Sequence, residues 1–238
     1  MPDHTLKAYD KELETLERRI AEMGGIAEKM VIEAMDALAN SDSALAQSVI
    51  ASDERLDALQ REIEEAAVLT IARRQPMAID LREIIGAIRV AGDLERVGDL
   101  AKNVAKRSLK IGGEQRSRRE IVGLKHMNDV ATELLKDVLD AYAQRDVERA
   151  RAVWQRDVEL DALEDSVFRD LLTHMMEDPR NISYCAHLLF CSKNVERIGD
   201  HATNIAETVF YLVTGHPLPG ERPKGAPEPS AMASEANA

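Results

Sequence analysis

The feature of this sequence that most constrains its fold is an internal repeat. Residues 93–105 return as residues 194–206, with Glu, Arg, Gly, Asp, Ala, Asn and Ala at the same spacing in both copies. The similarity extends upstream, because positions within residues 35–59 match positions within residues 139–163 at an offset of 104, against 101 in the later segment. Two copies of one segment predict two copies of one structural unit.

Hydrophobic periodicity predicts that each copy consists of three long helices. Apolar residues recur at spacings of three, four or seven, which is the pattern of a helix with one buried face. The predicted helices cover residues 6–40, 43–74, 78–110, 117–144, 146–177 and 180–214. Because 45% of the residues are apolar but only 3% are aromatic, the core must consist mainly of aliphatic side chains, which suits packed helices. We therefore expect an all-α fold of two tandem three-helix bundles with six long antiparallel helices.

Glycine and proline mark the predicted boundaries between these units. Gly112 and Gly113, with the charged residues that follow, form the clearest linker. The predicted domains are residues 1–113, residues 114–214 and a disordered tail of residues 215–238, which is rich in Pro, Gly, Ala, Ser and Glu. Pro76 and Pro179 mark the boundaries before the third and sixth helices, and each proline is expected to open the helix that follows.

The overall charge and hydropathy restrict the classes of function. A formal net charge of −12 argues against general binding to nucleic acid, which needs a basic surface. No window has the run of about 18–20 apolar residues that a membrane span requires, and the N-terminus lacks the pattern of a secretory signal. We therefore expect a cytoplasmic location. Cys185 and Cys191 are expected to be buried and unpaired, since their six-residue spacing places them on different faces of one helix.

Two pairs of carboxylates lie in unusual positions on the predicted helices. On a helical wheel, Glu95 and Asp99 continue the apolar stripe that includes Ile84, and Glu196 with Asp200 does the same in the sixth helix. A buried or half-buried carboxylate pair is unfavourable unless a cation compensates its charge. These positions therefore predict a nearby cation.

The preceding helix of each copy adds a second acidic pair with the same one-turn spacing. These pairs are Asp53 and Asp57 in the first copy, and Asp157 and Asp161 in the second. Two facing pairs would bring four carboxylates into a small volume, which is the ligand set of a hard cation. Ordinary salt bridges are the alternative explanation, and the residues alone leave both open. The candidate cationic partners are Arg96, Lys102, Lys193 and Arg197.

The pattern also excludes several familiar sites. A ferritin-like di-iron site needs a histidine three residues after glutamate, where this chain has Gly98 and Gly199. His201 follows Asp200 directly and therefore points away from the carboxylate face. A cation held by carboxylates alone should be Mg²⁺, Mn²⁺, iron or opportunistically bound Zn²⁺. No paired nucleophile and base and no Gly-rich phosphate loop are present, so the residues indicate no catalytic site.

These motifs, together with Arg-Arg-Gln-Pro at residues 73–76 and Met-Met-Glu-Asp-Pro-Arg at residues 175–180, closely resemble those of the PhoU family over residues 6–214. The resemblance implies two three-helix bundles side by side. It also implies metal, including multinuclear iron clusters, at the two Glu-x-x-x-Asp pairs. The matching partner pairs are again Asp53 with Asp57 and Asp157 with Asp161.

Members of this family are non-enzymatic cytoplasmic regulators of phosphate uptake. The resemblance implies that the chain dampens phosphate-starvation signalling by linking the ATPase subunit of a phosphate ABC transporter to a membrane sensor histidine kinase. We expect a homodimer that reaches the membrane only through these partners. The alternatives are a carboxylate-bridged metalloenzyme of the helical-bundle type and a plain helical scaffold without metal.

Overall fold

The computed structural model of the chain describes residues 2–112 and 119–220. The six helices are α1 (Pro2–Asn40), α2 (Ser43–Arg74), α3 (Ile79–Ile111), α4 (Arg119–Gln144), α5 (Val147–Glu177) and α6 (Ile182–Thr214). A single 3₁₀ turn, Pro179–Asn181, precedes α6. Within the described ranges the chain has no strand, so the all-α prediction is confirmed.

The short connections α1–α2 and α4–α5 repeat the same turn. Asp42 and Asp146 stand before α2 and α5, and each carboxylate accepts hydrogen bonds from backbone N–H groups of the first turn at 3.0 Å. The preceding residues, Ser41 and Arg145, adopt left-handed backbone angles, with φ of 54° and 55°. The internal repeat therefore extends to the geometry of the caps, which satisfy N–H groups that a helix start leaves without partners.

The expectation that a proline opens each motif helix is wrong in detail. Gln75 ends α2 in the left-handed conformation and donates its N–H to a carbonyl of the last turn, so the chain turns before Pro76. α3 then begins only at Ile79, after Ala78 with φ of 51°. In the second copy Pro179 opens the 3₁₀ turn rather than α6 itself. Each proline lies in the connection, where its missing N–H is not needed.

The helices pack as two bundles that share one hydrophobic core. α1, α2 and α3 contact one another, as do α4, α5 and α6, and the contacts α3–α6 and α1–α4 join the two halves. α3 and α6 cross antiparallel, because Asp93 of α3 accepts hydrogen bonds from His201 and Asn204 of α6 at 2.9 and 3.2 Å, while Arg107 contacts His187 at the opposite end. The two helices that carry the repeated motif therefore lie side by side at the centre of the molecule.

Other packing details complete the fold. Arg74 at the end of α2 donates two hydrogen bonds to Glu12 of α1, at 2.9 and 3.0 Å. Both cysteines are buried, and neither forms a disulfide within the described residues, as expected. Every helix in the described part of the chain falls short of the length and apolarity needed to cross a membrane.

The predicted C-terminal tail is described only at its start. Gly215 ends α6 with φ of 75°, and Leu218 packs against the core. The remainder of the predicted tail, residues 221–238, lies outside the described residues, as does most of the predicted linker that follows Gly112.

Candidate carboxylate sites

A glycine in each motif fixes how α3 packs on α2 and how α6 packs on α5. A Cβ atom at Gly98 would overlap Leu56 of α2, and one at Gly199 would overlap Leu160 of α5. Each leucine lies between the two aspartates of its own helix. The contact between glycine and leucine therefore sets the register that places the aspartate pair opposite the Glu-x-x-x-Asp pair.

The first cluster contains a lysine that the carboxylates share. Lys102 Nζ lies 2.5 Å from Asp53 Oδ2 of α2 and 2.5 Å from Asp99 Oδ1 of its own helix. Burial alone lowers the pKa of Lys102, but its hydrogen bonds to the two carboxylates raise the pKa above its ordinary value. Lys102 therefore stays charged and ties α3 to α2 through a charge-assisted bridge.

All four predicted carboxylates of the first copy belong to this cluster. Asp53 is buried, whereas Asp57, Glu95 and Asp99 are half-buried. Burial raises the pKa of Glu95, and the negative charges of Asp99, Asp57 and Asp53 raise it further, partly opposed by Arg96. Arg96 Nε lies 3.4 Å from Glu95 Oε2, and its Nη1 lies 3.5 Å from Asp99 Oδ2. The four acids therefore share one electrostatic environment.

The second cluster has the same carboxylates but a different set of cations. Asp157 is 3% exposed, and Asp161, Glu196 and Asp200 are half-buried. Burial raises the pKa of Glu196, with further contributions from Asp200 and Asp161 and an opposing one from Lys193. Lys193 Nζ lies 3.0 Å from Glu196 Oε1. The other oxygen, Oε2, is buried and has no hydrogen-bond partner in the described structure.

The two clusters also differ at a position where the sequence analysis named Lys102 but not its counterpart in the second copy. The counterpart of Lys102 is Thr203, because both follow the motif aspartate by three residues. Thr203 is fully buried and donates its hydroxyl hydrogen bond to the backbone carbonyl of Asp200 at 2.7 Å. The second cluster therefore lacks the ammonium group that bridges the first. Comparing the two copies position by position would have found this difference.

The structure supports part of the salt-bridge explanation. Lys102, Arg96 and Lys193 do pair with the acids, whereas Arg197 forms no ion pair with the described residues. Nowhere in residues 2–112 and 119–220 do three or more Asp, Glu, His or Cys side chains already converge as a metal site. The oxygen-only donor set and the unpartnered Glu196 Oε2 fit a hard cation in the second cluster, whereas Lys102 already supplies a positive charge in the first.

These features define a class of proteins that consist of two tandem three-helix bundles. In each bundle the third helix carries a Glu-x-x-x-Asp pair that packs against an aspartate pair of the preceding helix. A family model described as the PhoU domain matches residues 20–108 and 124–209, which are the two halves of the repeat. The chain belongs to the PhoU family.

Relatives and solved structures agree with this assignment over nearly the whole chain. The "Phosphate-specific transport system accessory protein PhoU homolog" of Rhizobium meliloti (strain 1021) is 58% identical over 221 residues, covering 93% of each chain. The protein of the same name from Caulobacter vibrioides (strain NA1000 / CB15N) is 49% identical and covers 94% of this chain and 97% of its own. The crystal structure of PhoU from Pseudomonas aeruginosa superimposes with a TM-score of 0.84 at 41% identity, covering 87% of this chain and 100% of that chain. A "phosphate transport system regulatory protein PhoU" from Streptococcus pneumoniae gives a TM-score of 0.81 at 27% identity, covering 89% of this chain and 100% of that chain.

Proposed function

We propose that this chain is an accessory protein that regulates a phosphate-specific transport system and has no enzymatic activity of its own. The observation that carries the proposal is the match to a relative that is named as an accessory protein of such a system. The two sequences are 58% identical, and the alignment covers 93% of each chain. The name of the Streptococcus pneumoniae structure, a regulatory protein of a phosphate transport system, points in the same direction. Neither name describes an enzyme.

The finer proposal concerns partners and the direction of regulation. The chain acts in the cytoplasm, as a homodimer, to couple the ATPase subunit of the phosphate ABC transporter to a sensor histidine kinase. It thereby lowers phosphate-starvation signalling when phosphate is plentiful. The names of the relatives support the link to the transporter. The kinase partner, the homodimer and the negative direction of the regulation rest on the family resemblance.

A divalent or iron cation is part of the proposal, and the second cluster is its preferred site. Asp157, Asp161, Glu196 and Asp200 would hold the cation, which would neutralise their charge and stabilise the contact between α5 and α6. The buried, unpartnered Glu196 Oε2 supports this assignment.

In the first cluster Lys102 takes over that neutralising role. Asp53, Asp57, Glu95 and Asp99 would therefore bind a cation only in competition with its ammonium group. Mg²⁺, Mn²⁺, iron and Zn²⁺ are the candidates for the cation.

Gene expression in a deletion strain tests the regulatory role. At high phosphate, deletion should raise transcription of phosphate-starvation genes, and the wild-type chain should restore repression. Repression that is unchanged by the deletion would contradict the proposal. Co-purification of the transporter ATPase subunit and the sensor kinase with the tagged chain tests the two partners separately.

Elemental analysis of protein purified without added metal tests the cation sites. The double variant Glu196→Gln/Asp200→Asn should lose most of the bound metal, and Glu95→Gln/Asp99→Asn should lose less. Asp129→Asn, which changes an exposed carboxylate of α4 outside both clusters, is the control. The site assignment fails if all three proteins retain the metal content of the wild type.

A further inference from the structure

A groove of about 380 Å³ between α3 and α6 is lined by positive charge, although the chain as a whole carries a net charge of −12. We call it the basic groove and define it by six side chains. They are Lys106, Arg107 and Lys110 of α3, and Phe190, Lys193 and Arg197 of α6. Of the described residues, no aspartate or glutamate lines this groove. It lies apart from the carboxylates proposed above, except that Lys193 also contacts Glu196.

Much of the positive charge in the basic groove has no carboxylate partner among residues 2–112 and 119–220. None of Lys106, Lys110 and Arg197 forms an ion pair with a carboxylate of the described residues. The guanidinium of Arg107 lies 4.2 Å from the centre of the Phe190 ring and contacts His187 Nδ1 at 3.1 Å. The pKa of His187 is lowered, first by burial and then by the nearby positive charges of Arg107 and Lys110, as expected at a positively charged surface.

The fold itself does not require this charge, because the repeat supplies a comparison. The equivalent groove at the other end of the α3–α6 contact includes Arg89, Asp93, Glu95, Arg96 and Glu207, a mixture of both signs. At the repeat offset of 101, Lys106 corresponds to Glu207, Lys110 to a tyrosine and Lys193 to a glycine. The two grooves share their backbone framework, so their difference in charge belongs to the side chains of the basic groove.

The dimensions and chemistry favour a small organic anion. The lining segments, residues 103–110 and 190–197, each span seven helical steps, which is about 10 Å at 1.5 Å per residue. This length and the groove volume suit a small molecule better than an extended acidic peptide. Phe190 is 54% exposed, so part of its ring stays open beside the lysines. An aromatic ring next to several cations matches a planar base that carries phosphates.

We propose that the basic groove binds a nucleotide, with its phosphates on Lys106, Lys110 and Arg197 and its base against Phe190. This site shares only Lys193 with the proposed cation clusters, through its contact with Glu196, and it does not depend on the transporter partner. Phosphate recognition by lysine and arginine is electrostatic, so binding should weaken as the salt concentration rises.

Isothermal titration calorimetry of the full chain with ATP, in a buffer that contains EDTA, tests the proposal. The double variant Lys106→Gln/Lys110→Gln should bind ATP about tenfold more weakly or worse, since it loses two charge-assisted contacts. The control, Lys11→Gln/Lys136→Gln, removes the same charge from exposed positions outside the groove and should bind like the wild type. Circular dichroism verifies that each variant is folded.

A second variant separates the base from the phosphates. Phe190→Leu should weaken the binding of ATP several-fold but leave the binding of inorganic tripolyphosphate unchanged. Absence of ATP binding, or equal losses in the two lysine double variants, would overturn the proposal. The proposal would also be overturned if tripolyphosphate bound as tightly as ATP and Phe190→Leu left ATP binding unchanged. Displacement of ATP by poly-glutamate as the stronger ligand would overturn it as well.

Discussion

Replacing Lys102 by threonine would make the first carboxylate cluster resemble the second and should destabilise the protein. The ammonium group lies 2.5 Å from both Asp53 Oδ2 and Asp99 Oδ1, and the Lys102 side chain is only 18% exposed. In the Lys102→Thr variant both carboxylates lose this partner, while Arg96 remains 3.5 Å from Asp99. Asp53, which is 8% exposed, would lose its main compensating charge.

The size of the effect follows from this burial. Removing one partner of a buried ion pair costs about 3–5 kcal/mol. Since the Asp99 side chain is 30% exposed and water screens part of its charge, we expect a loss near the lower end. We take about 3 kcal/mol of unfolding free energy, which corresponds to a fall in Tm of about 6–12 °C for a chain of this size.

Thermal and urea unfolding in the presence of EDTA measure this loss. Lys106→Thr is the matched control, because it makes the same substitution one turn later in α3 at an exposed position. In a second series in buffer without EDTA, Mn²⁺ should restore stability to Lys102→Thr more than to the wild type, by about 2.7 kcal/mol at 100 times its dissociation constant. The reasoning is refuted if the two variants unfold alike, or if Mn²⁺ stabilises Lys102→Thr no more than the wild type.

Three further predictions follow from packing and charge. Gly98→Ala should lower the urea midpoint, since a Cβ atom there would overlap Leu56 and overpacking costs about 1–3 kcal/mol. The control is Gly92→Ala in the same helix, where a Cβ atom would meet no atom within 4 Å and the free energy of unfolding should rise by about 0.5–1 kcal/mol from helix propensity. Equal effects of the two substitutions would contradict the close contact at Gly98. Cys185 and Cys191 should react with a thiol reagent only after unfolding, because both side chains are buried. Burial also raises the pKa of Cys191 to about 12, which leaves little of the reactive thiolate. Rapid labelling of the native protein would contradict this prediction. A hydrogen bond from the arginine at the end of α2 lowers the pKa of Glu12 in the folded state. The wild type should therefore exceed Glu12→Gln in stability at neutral pH and lose this advantage as the pH falls below the ordinary pKa of glutamate and through the lowered pKa of the folded state. An advantage that persisted after Glu12 is protonated would contradict the ion pair.

The sequence predicted the helices well because their signals are local. The periodic stripes and the turn residues placed the end of α1 at Asn40 and the bounds of α2 at Ser43 and Arg74, as observed. Asp42 and Asp146, which occupy matching positions of the two copies at the offset of 104, act as equivalent N-caps. Helix periodicity and capping depend on residues a few positions apart, so one sequence contains the necessary information.

The same local reasoning was wrong about the prolines, because Pro76 and Pro179 lie in the connections and do not open α3 and α6. Gln75 adopts a left-handed backbone conformation, Ala78 has a positive φ of 51°, and α3 begins only at Ile79. These conformations are unusual for residues other than glycine, and sequence patterns favour glycine or asparagine there. Local sequence preference therefore does not predict this connection.

By itself, the sequence determined the duplication, the six helices and the acidic pairs on their apolar sides. Only the tertiary structure decided which cation meets which acid. Lys102 bridges two helices in the first copy, whereas Thr203 stands in its place in the second. Glu196 Oε2 has no hydrogen-bond partner among the residues that the structure describes. The tertiary structure also brought Lys106 and Phe190 to one groove. The physical reason is that a helical pattern fixes the face on which a charge lies, but compensation between charges depends on distances of a few ångströms between helices that are far apart in sequence.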